Sequence, residues 1–185
     1  VGQGNRRTVQ IATPEGSRSR QALLSHDGSW VYAINDASGE NEIWRFAADG
    51  SARSEQLTKD GSTFRWGLHL SPDGRYLAHD DKNGDLWLLD LQNGSNRKIY
   101  QQGWGHAPYA DVIWSADSQL LAFTLNHQQR PRSQVVLYSL AEQRSELARN
   151  LFGRGLAHLG QGGADSSDLF GQSLGPGRLV APSLD

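Results

Sequence analysis

Residues 70 to 94 read LSPDGRYLAHDDKNGDLWLLDLQNG, two apolar runs set off by turn dipeptides. The runs YLA and LWLL predict strands. Asp73-Gly74, Asn83-Gly84 and Asn93-Gly94 predict tight turns, since Gly takes positive φ at no steric cost. A strand with one face in water alternates apolar and polar side chains. Leu86, Trp87, Leu88 and Leu89 run without a break. This hairpin is therefore expected to be covered on both faces.

The pattern recurs. LSHDGSWVYAI at 24 to 34, LSPDGRYLA at 70 to 78 and WSADSQLLAF at 114 to 123 share a Ser-x-Asp core beginning at Ser25, Ser71 and Ser115, 46 and 44 residues apart. A second element follows each copy: NEIWRFAADGS, GDLWLLDLQNGS and SQVVLYSLAEQRS. Periods of about 40 to 50 residues, each holding four strands, mark β-propeller blades. The first unit predicts strands near 21–24, 30–34, 41–46 and 53–57. The second predicts 67–70, 75–80, 85–90 and 96–100, and the third 110–114, 119–124, 134–139 and 145–149.

The fold class expected is therefore all-β, a partial propeller of about three to four four-stranded antiparallel blades. The units fall at 21–60, 61–104 and 105–150. Residues 1–20, with one strand in RTVQIA, read as the end of a preceding blade and its connection. Residues 151–185 form an atypical Gly-rich tail, irregular or partly helical. A blade sandwiched between neighbours explains apolar side chains on both faces. A two-sheet sandwich leaves one face wet and explains no repeat. Trp44, Trp87 and Tyr138 are expected to pack between blades.

Bulk properties change this picture little. The chain has 185 residues, 18 Lys and Arg against 20 Asp and Glu, and six Trp. A net charge of −2 gives no basic face for nucleic acid or an anionic membrane. There is no Cys, which excludes disulfides and thiolate metal sites. No apolar run reaches the roughly 18 residues of a membrane span. The chain lacks Met and reads as an excised or processed piece. Its compartment stays open between cytoplasm and periplasm.

Residues 25 to 91, and most of all the link QLTKDGSTFRWGLHLSPDG, resemble the propeller repeats of tricorn-type serine peptidases. The likeness covers roughly residues 3 to 148, with the motif order kept. The Ser-Pro-Asp-Gly element is shared with TolB-type propellers and with those of prolyl-oligopeptidase-like enzymes. The resemblance implies a peptidase parent and a non-catalytic piece that gates or binds peptides. The alternatives are a TolB-like protein-interaction scaffold with no peptidase attached, and the propeller lid of an oligopeptidase.

Several strings carry candidate chemistry. GQSLG, around Ser173, fits a nucleophile elbow, but Pro176 and Gly177 follow where a helix should start. No catalytic residue is assigned. HDDKNGD at 79 to 85 lacks the ligand spacing of a calcium loop and reads as a solvated hairpin with an Asn-Gly turn. The six His lack zinc-site spacing, so no metal or cofactor is expected. The better candidates precede the first strand of a unit, at a propeller's channel mouth. These are Arg65 and Trp66, then His106, Tyr109 and Asp111. An Arg can grip a carboxylate in a bidentate fork, and aromatic rings can cover apolar side chains. The competing reading is inter-blade packing for the aromatics and a wet rim for the charges. Expected partners are peptides or a partner protein, the remaining domains of the parent chain, and further copies, since an open arc exposes apolar faces.

Overall fold

The computed structural model describes residues 8–61, 64–102, 111–126 and 133–147. These form twelve strands in three four-stranded antiparallel sheets. Blade 1 holds β1 (Ser19–Leu24), β2 (Trp30–Asn35), β3 (Glu42–Ala47) and β4 (Ser54–Gln56). Blade 2 holds β5 (Arg65–Leu70), β6 (Tyr76–Asp81), β7 (Asp85–Asp90) and β8 (Asn96–Gln101). Blade 3 holds β9 (Val112–Trp114), β10 (Leu120–Asn126), β11 (Ser133–Ser139) and β12 (Arg144–Leu147). Within each sheet the strands lie in chain order. The first strands touch across blades, β1 with β5 and β5 with β9, and β8 touches β12. The described residues therefore form an all-β propeller arc. The chain's tail lies outside the described residues.

The uninterrupted apolar run now has its explanation. Leu86 and Leu88, with Ala78, pack against Val112, Leu121, Phe123, Leu125, Val136 and Tyr138 of blade 3. Leu77 and Leu89 of the same hairpin pack against Ile34 and Ile43 of blade 1. Side chains alternate across a sheet, so one hairpin feeds two cores. Each core removes fully apolar side chains from water at about 25 cal/mol per Å².

Each Ser-x-Asp hairpin closes in the same way. Ser71 Oγ donates to Asp73 Oδ1 at 2.5 Å and accepts from Tyr76 N at 2.9 Å, while Arg75 N donates to Asp73 Oδ1 at 3.0 Å. Ser25 with Asp27, and Ser115 with Asp117, repeat these bonds. The Ser25 hydroxyl, then the Ser29 amide and hydroxyl, hold Asp27 at a pKa of about 2. The turn needs a left-handed residue, which Gly28 and Gly74 supply at φ 69° and 71°. Ser118 adopts φ 61° in the third copy, and its Oγ accepts from Asp73 N at 3.0 Å. Successive hairpins are also tied by His26 Nε2, 2.9 Å from Ser71 O.

Three expectations need amending. Of the RTVQIA segment, the described residues form no strand; Val9 and Gln10 lie beside the Gly50 turn. Trp87 and Tyr138 face neighbouring blades, but Trp44 lies on the face of blade 1 turned away from blade 2, stacked on Phe46. By register Trp87 corresponds to Val136, so Tyr138 sits two positions further along the same face. The hairpin at 79 to 85 is solvated only at its turn, Lys82 to Gly84. His79, Asp80, Asp81 and Asp85 are all buried, because a blade covered on both sides leaves its middle strands no wet face.

Candidate functional site

First and third strands start at one rim, where second and fourth strands end. The links joining blades cross this rim, so Arg20, Arg65, Trp66 and Asp111 are gathered around it.

Arg65 opens β5 rather than preceding it, and its side chain turns into the wedge between blades 1 and 2 and is fully buried. Nη2 donates to Asp60 Oδ1 at 2.6 Å and to Glu42 Oε2 at 3.3 Å. Nη1 lies 3.1 Å from His79 Nδ1, and His79 Nε2 lies 2.9 Å from Asn96 Oδ1. A guanidinium can only donate. Nδ1 is therefore the acceptor, and Nε2 carries the proton towards Asn96. Burial, then the Arg65 charge, push the His79 pKa down to about 3, which keeps the ring neutral. Glu42 also accepts from Gly61 N at 2.6 Å and from the Thr58 hydroxyl, while Thr58 Oγ1 accepts from Ile43 N at 2.9 Å. The link between blades 1 and 2 is thereby pinned around one buried charge.

The outward surface is built by Arg65's neighbours. Trp66 is 44% exposed. Its ring meets Phe64 at 4.9 Å between centroids, tilted by 59°. The Arg20 guanidinium lies over Phe64 at 3.9 Å, within range of a cation–π attraction. Arg20 Nη2 donates to Arg65 O at 2.8 Å, which fixes the head of the side chain. Among the described residues no carboxylate lies within ion-pair distance of Arg20. Burial lowers its pKa, with the more distant Asp36 acting the other way.

Asp80 and His69 sit one step inward, on the face turned to blade 3. Gly67 stands between them: a Cβ there would come 2.6 Å from Asp80 Oδ1 and 3.0 Å from His69 Nε2, so only Gly fits. Asp80 accepts from Gly67 N, yet burial raises its pKa to about 6. His69 is pushed down by burial.

Of the expected site residues, the structure thus brings Trp66 to the rim and withdraws Arg65 into a buried network. Asp111 is exposed at the approach to β9, and its carbonyl accepts from Thr124 N at 3.2 Å. His106 and Tyr109 lie outside the described residues, as does Ser173. Arg20, Phe64 and Asp80 were missed by sequence reasoning. The repeat held the signal for Arg20: it follows Ser19, paired with Asn35, as Trp66 follows Arg65, paired with Asp81, one blade on. Among the described residues, no three His, Asp or Glu side chains converge as a metal site. The arrangement can present an aromatic shelf beside a cation.

No family model matches the chain. A 66 kDa stress protein of Physarum polycephalum is 28% identical over 129 residues, covering 68% of this chain and 20% of its own length. An uncharacterised protein of Agrobacterium fabrum is 26% identical over 110 residues, covering 54% of this chain and 37% of its own. The chain thus spans well under half of either relative. Among solved structures, an oligogalacturonate lyase from Vibrio parahaemolyticus superposes with a TM-score of 0.61 at 15% identity, covering 73% of this chain and 42% of that one. The tricorn protease gives 0.60 at 13%, covering 71% and 13%. TolB from Acinetobacter baumannii gives 0.52 at 18%, covering 69% and 31%. These likenesses establish a propeller-like fold for the chain.

Proposed function

We propose that this chain is a non-catalytic propeller module of a tricorn-type serine peptidase, which binds or gates peptides at the rim formed by Arg20, Phe64 and Trp66. The observation that carries the reading is the half-exposed Trp66 ring, backed by Phe64 and flanked by a cation with no carboxylate partner among the described residues. The rings cover an apolar side chain, and Arg20 draws a peptide carboxylate. Arg65 acts as a positioning residue, because its carbonyl holds Arg20 and its side chain anchors the link beneath the shelf. Likeness in fold to the tricorn protease supports placing such a rim in the path of peptides.

The test is a tryptophan-fluorescence titration with a short peptide bearing an aromatic side chain and a free C-terminal carboxylate. Its amidated Ala counterpart serves as control. Trp66→Ala is expected to weaken binding about tenfold, the equivalent of about 1.4 kcal/mol. Equal binding of both peptides, or unchanged affinity in Trp66→Ala, overturns the proposal. Peptide hydrolysis that disappears in Ser173→Ala overturns its non-catalytic part.

A further inference from the structure

A second polar site lies away from this rim, in the cleft between blades 2 and 3. A cavity of about 180 Å³ opens there, lined by Tyr76, Leu88, Asp90, Asn93, Arg97 and Gln143, among others. Cavities of roughly this size hold a molecule as large as benzene. The wall is mostly polar over a floor of Tyr76 and Leu88.

The charges on this wall do not cancel. Asp90 is already engaged: Oδ2 accepts from Arg75 Nη2 at 3.1 Å and Asn93 Nδ2 at 3.2 Å, and Oδ1 from Gln92 N at 2.9 Å. Arg97 has no such partner, for among the described residues no carboxylate lies within ion-pair distance of it. Its Nη1 donates to the hydroxyl of buried Tyr138 at 2.6 Å, and the guanidinium leans over that ring at 5.7 Å. A neutral hydroxyl from the next blade thus orients the fork and leaves its charge unspent. A planar guanidinium held in one orientation is matched by a carboxylate, which can take two parallel N–H bonds.

We propose that this cavity is a carboxylate-binding site, with Arg97 as anchor and Asn93 and Gln143 as flanking hydrogen-bond partners. Size and chemistry fit a carboxylate on a short stem, either a small free acid or an acidic side chain of a docked polypeptide.

Propionate and propionamide, which share a shape and differ in charge, are titrated against the ¹⁵N-labelled protein. Saturable shifts are expected at the amides of Asn93, Ser95 and Gln143 with propionate and not with propionamide. One ion pair in a half-open cleft holds only millimolar affinity, so the titration runs to about 100 mM. Arg97→Gln is expected to abolish the shifts and Arg97→Lys to weaken binding. Gln143→Glu, an isosteric change across the cavity, should raise thermal stability and compete propionate out, which tests the site without removing the Arg97–Tyr138 bond. An acetyl-Glu-methylamide that binds tenfold tighter than propionate identifies a polypeptide side chain as the source; equal affinity identifies a free acid. Shifts of equal size with propionamide, their persistence in Arg97→Gln or Gln143→Glu, or no saturable shift at these residues overturns the proposal.

Discussion

Asp80→Asn should make this protein more stable at neutral pH and leave it unchanged in acid. Asp80 is 4% exposed, no cation lies within ion-pair distance of it among the described residues, and burial raises its pKa to about 6 from the ordinary carboxylate value of 3.8. The folded state therefore holds a proton that the unfolded chain has already released. Between these two values the folded state binds more protons, so this group's contribution to stability falls as pH rises. A difference of about two pKa units corresponds to about 3 kcal/mol of destabilisation at pH 7, fully relieved below about pH 4. Asparagine carries no charge and can still accept from Gly67 N. Its amide protons need a partner, and His69 Nε2 is close by, so the net gain is about 1–3 kcal/mol. Urea unfolding of both proteins, followed by tryptophan fluorescence from about pH 4 to about pH 8, measures the difference directly. The gap should open through the window from about pH 4 to 6 and stay constant above it. A variant less stable than the parent at pH 7, or a gain that persists undiminished at pH 4, would refute the reasoning.

Two further outcomes follow from the packing. Leu88→Ala and Leu89→Ala, adjacent residues facing opposite blades, should each cost about 2–5 kcal/mol in denaturant unfolding, whereas half-exposed Val135→Ala should stay within about 0.5 kcal/mol; a near-zero cost at Leu88 or Leu89 would mean one face of the hairpin is not buried. Glu42→Gln removes one of the two carboxylates on the buried Arg65 while leaving Asp60, so the loss should approach but not exceed the roughly 3–5 kcal/mol of a broken buried pair, and a stability unchanged in thermal or urea melts would show that Asp60 alone neutralises Arg65.

Sequence reasoning reached the architecture because the repeat is written in local chemistry. The Ser-x-Asp element encodes a complete hairpin closure, and the glycines of its first two copies mark positive φ, so a short stretch fixes a register. The unbroken run at Leu86 to Leu89 correctly required cover on both faces. Direction of a polar side chain was not legible in the same way. Arg65 and Trp66 are neighbours on one strand and point to opposite sides, one into a wedge and one to the rim. Glu42, 23 residues away, and Asp60, five residues away in the link, decide which is which. The acidic hairpin at 79 to 85 misled for the same reason: His79 acquires its partners from Arg65 and Asn96, and its burial from the blades on either side.

The two apolar cores share no residue, and both draw on blade 2. Mechanically the molecule is a short linear array with nearest-neighbour coupling, of the kind whose stability sums over units and junctions. Loss of the first or third blade removes one junction and leaves the other whole, while damage to the middle one severs both. Among the described residues, fraying therefore begins in the outer blades, and the slowest-exchanging amides belong to β6 and β7.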